Sequence, residues 1–229
     1  MKKSIVLGSE SAIDAEGSQD VYNRGLERSV PRYHIPHFVK LTWIYDLPVG
    51  RGKALNIPNK FVDMLFGGWT LTGIHNWRSG DALSISTSGF ETNGIFNGTF
   101  RPDLVPGQPI FLDKNAKTDF AQTGARYLNP AAFSQIPRSS RGVPTRFGTA
   151  PPMLPNVRGP ARFTDDLGIR KRFNFTEERS FEVRGDFFNV LNKGGRGNPV
   201  TNITNTNFGR ITGPAYGPRN IQVEARVNF

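Results

Sequence analysis

The stretch GPRNIQVEARVNF, residues 217–229, alternates apolar and polar side chains from residue 220 onward. Successive residues of an extended strand point to opposite faces. The apolar set on one face is Ile221, Val223, Val227 and Phe229, with Ala225 between them. The other face carries only polar or charged side chains. This stretch therefore predicts a β-strand with one apolar and one polar face, followed directly by an aromatic residue.

Five further segments have the same two-residue period and are bounded by Gly, Pro, Asn or Ser. This combination is the usual sequence signal of a β-strand. The segments are residues 37–47, 68–78, 82–88, 163–173 and 180–190. Together with the first stretch they predict an all-β chain of about six strands, arranged as an antiparallel up-and-down meander.

The connections between these segments predict the class of the sheet. Residues 48–67, 89–162 and 191–217 form long connections, and residues 79–81 and 174–179 form short ones. Alternate connections of a meander leave opposite ends of the sheet, so one end is predicted to carry tight turns and the other large loops. Short periplasmic turns and long extracellular loops are typical of outer-membrane β-barrels. The three long connections are therefore predicted to be extracellular, and Phe229 periplasmic.

A barrel wall requires one face toward lipid and one toward a wet lumen. A strand of about 11 residues climbs ~25 Å when tilted, which matches the apolar band of such barrels. The predicted lumen-facing charges are Lys40, Arg78, Glu182, Arg184, Asp186 and Glu224. The predicted membrane-interface aromatic residues, near strand ends on the outward face, are Trp43, Tyr45, Trp69 and Trp77. His75 and Lys171 also fall on the outward face and argue against lipid contact unless they lie near an interface.

Six strands are too few for a closed barrel, because the smallest ones have 8. Residues 37–229 are therefore predicted to be a partial, C-terminal segment of a large transmembrane β-barrel. Residues 1–36 are predicted to be an irregular segment that could retain part of a preceding strand.

The composition limits the chemistry of the 229-residue chain. It contains 25 Gly and 17 Pro, which suits β-structure with long connections, and no Cys, which excludes disulfides and thiolate sites. No nucleophile, base and orienting group stand together, so we expect no enzyme activity, no cofactor and no metal site. The net charge of +10 favours phosphate-bearing partners. Lipopolysaccharide phosphates are favoured over solubility alone, and over nucleic acid because no nucleic-acid module is recognisable.

Seven motifs in order resemble the C-terminal barrel region of the Oar-like TonB-dependent outer-membrane transporters, whose full-length members begin with a carboxypeptidase-regulatory-like domain. They are IDAEGSQDVYNRGLERS, PHFVKLTWIYDLPVGRGKAL, LFGGWTLTGIHNWRSGDALSIST, RYLNPAAFSQIP, RGPARFTDDLGIRKRF, FEVRGDFFNVLN and NTNFGRITG with GPRNIQVEARVNF. The resemblance implies a barrel of about 22 strands, of which this chain supplies the last quarter.

The same resemblance implies energised transport of a large substrate across the bacterial outer membrane. It implies contact with TonB only through a plug and a TonB box, which are absent from these residues. It also implies that the barrel-assembly machinery reads Ile221, Val223, Val227 and Phe229 as its signal, and that membrane lipid surrounds the barrel. The alternative is a secreted soluble β-sandwich that binds carbohydrate or mediates adhesion. Its apolar faces would turn inward instead.

Overall fold

A computed structural model describes residues 4–5, 19–20, 22–88, 100–176 and 179–229 of the chain. Its main element is a five-stranded antiparallel sheet in which each strand pairs with the next one along the chain. The strands are β1 (Phe38–Asp46), β2 (Trp69–Arg78), β3 (Arg162–Asn174), β4 (Ser180–Phe188) and β5 (Asn220–Asn228). The predicted all-β antiparallel meander is thus confirmed.

The register of the sheet separates apolar from polar side chains across all five strands. Directly paired residues of an antiparallel sheet share a face. One row across the sheet reads Tyr45, Leu71, Ile169, Gly185 and Val223. The next row reads Asp46, Thr70, Arg170, Arg184 and Glu224. The pairing therefore brings the apolar side chains of all five strands to one face of the sheet and the polar side chains to the other.

A short helix, α1 (Lys60–Phe66), lies in the connection between β1 and β2. Asn59 caps it, because the Asn59 side chain accepts hydrogen bonds from the backbone N–H groups of Phe61 at 2.9 Å and Val62 at 3.3 Å. None of the helices in the described part of the chain is long and apolar enough to cross a membrane.

The chain divides into two compact units. The sheet unit comprises Phe38–Arg78, Arg162–Gly194 and Tyr216–Phe229, and the loop unit comprises Met1–His37, Ser79–Ala161 and Gly195–Ala215. The loop unit contains short pieces of regular structure, which are the two-residue strands Ser4–Ile5, Arg28–Ser29, Asp103–Leu104 and Phe133–Ser134 and the 3-10 helices Arg24–Glu27 and Pro130–Ala132. The division of the sequence at residue 37 into two consecutive domains stays a prediction.

The loop unit has an apolar core of its own. Its buried members include Ile85, Leu128, Leu154 and Ile211, which come from widely separated parts of the sequence. The rings of Phe133 and Phe208 pack edge-to-face, with 5.5 Å between their centroids. Long connections that would be irregular if isolated therefore bury apolar surface against each other.

The prediction of a strand at residues 82–88 is wrong. Within this segment the structure has only two isolated bridges, Ala82 with Arg158 and Ser86 with Asn202. The segment is extended, but Leu83 and Ile85 are buried in the loop unit rather than on a sheet face. The sheet therefore has five strands where about six are predicted.

Because residues 82–88 do not form a strand, the connections leave the sheet at ends that differ from the predicted ones. Because the strands form a meander, the connection 47–68 leaves the same end of the sheet as the tight turn 175–179. The connections 79–161 and 189–219 leave the other end. The prediction that residues 48–67 share an end with the other two long loops is therefore wrong. Residue Phe229 follows β5 at the tight-turn end, as predicted.

The loop unit contains an ion pair that should make its stability depend on pH. Asp103 accepts hydrogen bonds from Arg146 Nη1 at 2.8 Å and from the Thr149 backbone N–H at 3.1 Å. The bond from Arg146 holds the pKa of Asp103 below its usual value, against a smaller opposing effect of burial. A lowered pKa stabilises the folded state above the unfolded-state value of about 3.9, and this stability is lost as the pH falls through the folded-state value.

We therefore expect Asp103→Asn to lower the unfolding free energy of the loop unit at neutral pH, and the difference from wild type to shrink below about pH 4. Hydrogen exchange of residues 100–161 as a function of pH measures this directly. A difference that stayed constant down to about pH 2 would contradict the role given to the carboxylate.

Candidate functional site: the two faces of the sheet

The apolar face of the sheet is open. Val223, Val227 and Phe229 are 71%, 62% and 95% exposed. No layer formed by the described residues covers them, whereas a β-sandwich would bury its apolar faces against a second sheet. The sandwich alternative is therefore contradicted. An exposed apolar sheet face of this extent marks contact with a partner or with lipid.

Aromatic side chains lie at the ends of this apolar face. Trp69 and Trp77 are at opposite ends of β2, and Tyr45 is next to the last residue of β1. Phe163 and Phe173 stand near the two ends of β3. Aromatic belts at two heights are typical of transmembrane barrels, because such rings favour the interface between lipid and water.

Trp43 differs from the other predicted interface residues. It lies in the middle of β1 rather than near its end, and its ring covers Gly73 of β2, where an added Cβ atom would come within 2.3 Å of the indole. Its Nε1 donates a hydrogen bond to His75 Nε2 at 3.0 Å. The two rings are stacked with 6.2 Å between their centroids. The prediction that Trp43 belongs to an end belt is therefore wrong.

His75 is held from both sides. Because its Nε2 accepts from Trp43, its Nδ1 carries the proton and donates to Asp165 Oδ1 at 2.7 Å. The three side chains come from β1, β2 and β3 and lie on the apolar face. Their polar atoms satisfy one another, which lowers the cost of placing them there. The sequence shows that His75, a polar residue, falls on the apolar face, but it does not reveal the two partners of its side chain.

Packing of Trp43 on Gly73 gives a testable consequence. Gly73→Ala should push the indole off β2 and weaken its bond to His75, with a loss of about 1–3 kcal/mol in unfolding free energy, as is usual for overpacking. A Cβ atom at Gly217 would meet nothing within 4 Å, so Gly217→Ala is the matched control. Urea titration of the refolded variants should separate the two, and equal stabilities would contradict the packing described for Trp43.

Lys171 is the second polar residue that the sequence places on the apolar face. Its side chain is buried near the tight-turn end of the sheet. Its Nζ donates to the Gly67 carbonyl and lies 5.3 Å from the ring centroid of Trp69 and 5.0 Å from that of Phe173. The aliphatic part of the side chain runs along the sheet while the ammonium reaches the end of the strand. Lys171 therefore lies near one end of the sheet. That this end is at a membrane interface stays a prediction.

The polar face carries all the predicted lumen residues. The register places Lys40, Arg78, Glu182, Arg184, Asp186 and Glu224 on that one face. Charges of both signs lie on this face, and in one row Glu182 stands between Arg172 and Arg226. Asp186 accepts a bond from Arg184 Nε at 2.9 Å, and Asp46 accepts one from the Thr70 hydroxyl at 2.6 Å. That these residues line a lumen stays a prediction.

The predicted assembly signal lies on an edge of the sheet. Ile221, Val223 and Val227 are on the apolar face of β5, and Phe229 follows the strand. Within the described residues, β5 pairs only with β4, and β1 pairs only with β2. Both outer edges therefore have backbone groups available for further strands. Recognition of the four residues by an assembly machinery stays a prediction.

The loop unit contains a polar cavity of about 310 Å³. Its lining includes the side chains of Arg32, Ser84, Asn198 and Thr201. Among the residues that the structure describes, no group of three or more His, Cys, Asp or Glu is placed to hold a metal ion.

A family model described as "Outer membrane beta barrel domain" matches residues 2–222 of the chain. No curated protein and no solved structure gives a match. The matched range contains β1 to β4 and the beginning of β5.

Proposed function

The chain belongs to the outer membrane beta barrel domain family and is an outer-membrane protein, and we propose that it forms part of the wall of a TonB-dependent transporter. In this proposal the apolar face contacts lipid and the polar face lines the lumen. The observation that carries it is the open sheet, with exposed Val223 on one face and charged Glu224 on the other.

The five strands supply only part of such a wall. A closed barrel needs at least 8 strands, and the free edges of β1 and β5 are where further strands would pair. The end that carries the turn 175–179 faces the periplasm in this proposal, and the connections 79–161 and 189–219 face the outside. This orientation puts the shortest connection in the periplasm and the two longest connections outside, as is typical of such barrels. The connection 47–68, which contains α1, is then also periplasmic.

The charge of the polar face suits a hydrated pathway. Arg170, Arg184 and Glu224 lie in one row, and Arg172, Glu182 and Arg226 lie in a neighbouring row. An arginine facing lipid would cost about 2–4 kcal/mol at mid-depth and a glutamate somewhat less, whereas charges in a wet lumen remain solvated. The resemblance of seven motifs to Oar-like transporters supports a large substrate and energised transport.

The proposed partners follow from the two ends and two faces. Lipid covers the apolar face, and lipopolysaccharide phosphates contact basic residues of the outer loops, such as Arg141. The barrel-assembly machinery recognises β5 with Phe229. TonB acts through a plug and a TonB box outside these residues. We propose no role for nucleic acid and no bond chemistry for any residue of the chain.

Transport can be tested in the producing bacterium by deleting the gene. The periplasm and the medium of wild-type and deletion strains are compared by mass spectrometry, with and without a protonophore that collapses the proton gradient. Energised transport predicts a solute whose distribution changes on deletion and changes in the same way when the protonophore is added to wild type.

A strain that lacks the proton-coupling complex but keeps the barrel protein is the control, and it should reproduce the deletion. A deletion strain whose solute distribution is unchanged, or changes equally with the proton gradient intact and collapsed, would contradict energised transport.

A further inference from the structure

A surface helix of a water-soluble protein turns its apolar side chains inward. Helix α1 has the opposite arrangement, which we call inverted. All its apolar side chains are exposed, and they are Phe61, Val62, Met64, Leu65 and Phe66. The one carboxylate, Asp63, turns inward, where its Oδ1 accepts a hydrogen bond from the Arg51 backbone N–H at 2.7 Å. In water all five of these apolar side chains would be solvated, whereas contact with an apolar medium would bury them.

The helix is attached to the apolar face of the sheet. Trp69 Nε1 donates to the Leu65 carbonyl at 3.1 Å, and Lys171 Nζ donates to the Gly67 carbonyl. Both donors stand on the apolar face at its tight-turn end. The exposed surface of α1 therefore continues the surface that we assign to lipid, at the level of its last aromatic row.

Positive charge surrounds a cavity beside the helix. This cavity, of about 300 Å³, is lined by five cationic residues and by one acidic residue. The cations are Arg51, Lys53, Lys60, Lys171 and Arg172. The acidic residue is Asp63, which is already engaged by a backbone N–H group. The walls also include Met64 and the ring of Phe175. Cations beside apolar side chains match a phosphate headgroup attached to acyl chains.

We propose that α1 is an interfacial helix that binds anionic phospholipid at the periplasmic surface of the outer membrane. The phosphate lies among Arg51, Lys53 and Lys60, and the acyl chains lie along the exposed apolar residues. Basic residues beside an exposed apolar surface are the pattern of helices that lie in the plane of a membrane interface. This inference rests on the proposed barrel wall, because it places the tight-turn end of the sheet at the periplasmic surface.

The absence of Cys from the chain makes a depth measurement direct. Single variants Leu65→Cys, Val223→Cys and Leu112→Cys are labelled with a nitroxide in the otherwise unchanged chain, refolded into vesicles of phosphatidylethanolamine and phosphatidylglycerol. Accessibility to oxygen and to a water-soluble nickel chelate then reports depth. Leu112 is the matched control, because it is as exposed as Leu65, at 59%, but belongs to the loop unit.

We expect the Val223 label to lie in hydrocarbon, the Leu65 label at the headgroup level and the Leu112 label in water. If the label at Val223 reports hydrocarbon while the label at Leu65 reports the same aqueous environment as the label at Leu112, the inference fails and the barrel wall stands. If Leu65 is shielded from both reagents, a protein covers α1 and the inference again fails. If Val223 itself reads water, the proposed wall fails and the inference fails with it.

A second experiment tests the headgroup charge. The combined variant Arg51→Gln, Lys53→Gln and Lys60→Gln should move the Leu65 label toward water and remove its dependence on phosphatidylglycerol. The combined variant Lys114→Gln, Lys117→Gln and Lys193→Gln removes the same number of exposed charges elsewhere and should leave the depth unchanged. Equal effects of the two variants, or a depth that ignores phosphatidylglycerol in wild type, would overturn the phospholipid assignment.

Discussion

Val223→Arg should lower the free energy of unfolding in lipid vesicles by about 2–4 kcal/mol, which is the cost of an arginine facing lipid at mid-depth in a barrel. Val223 shares its row with Ile169, which lies near the middle of β3, and with Tyr45 on the far side of the sheet. Because barrel strands are tilted, the two sides of one row lie at different depths. Urea titration of the chain refolded into vesicles measures the loss. The same variant should also insert more slowly into vesicles.

Gln222→Arg is the matched control, since it places the same side chain one residue away on the opposite face. Gln222 pairs directly with Asp186, so the new cation would meet a carboxylate in a hydrated environment. Cross-strand pairs of opposite charge contribute only about 0.2–1 kcal/mol, and we expect this variant to be neutral or slightly stabilised. Equal losses at residues 222 and 223 would show that the two faces do not differ in environment.

Arg101→Met should destabilise the loop unit by about 3–5 kcal/mol, because it leaves a buried carboxylate without its partner. The side chains of Arg101 and Glu27 are 4% and 1% exposed. The guanidinium contacts both carboxylate oxygens of Glu27, at 2.8 and 3.0 Å, and its Nε donates to the Ala150 carbonyl. Hydrogen exchange and limited proteolysis of residues 100–161 should show the loss.

Two variants separate burial from charge in this prediction. The double variant Glu27→Met with Arg101→Met removes both charges and should recover much of the stability, as replacement of a buried ion pair by apolar residues often does. Arg184→Met breaks the half-exposed pair with Asp186 and should cost no more than about 1 kcal/mol. A double variant less stable than Arg101→Met would contradict this account.

The sheet is the part of the structure that the sequence predicts well. The predicted segments 37–47 and 68–78 become β1 (Phe38–Asp46) and β2 (Trp69–Arg78). In each of these strands apolar and polar residues alternate along the whole length, and the strands that pair with them alternate in the same way. The sequence pattern and the observed strand pairing therefore agree. The membership of each face follows directly, because a two-residue period leaves no other choice once the strands pair in register.

Residues 82–88 show why the strand count does not follow from the same pattern. Leu83 and Ile85 alternate with serines, as they would in a half-buried strand. They are buried instead in the core of the loop unit. Before them, Gly80 passes so close to the backbone that an added Cβ atom would lie 1.8 Å from the Gly159 carbonyl oxygen. Any extended segment with one buried side shows this period, whether or not it joins a sheet.

The side-chain cluster on the apolar face could not be predicted for another reason. His75 and Asp165 are separated by 90 residues, and they meet only because β2 pairs with β3 in one register. The sequence states which face each occupies but not which neighbour it has. Likewise, the inversion of α1 depends on the inward turn of Asp63 toward Arg51, which is a contact between two parts of one connection.

The loop unit also sets the order in which the molecule can fold. Gln19 donates to the Gly148 carbonyl and Arg158 to the His34 carbonyl, across separations of 129 and 124 residues. Asp119 completes the unit by bonding to Ile211. Contacts this distant in the chain form slowly, because much entropy is lost before they are made. The hairpin of β3 and β4 can therefore form early, whereas Gln19 and His34, on either side of Glu27, reach their partners only across more than 100 intervening residues.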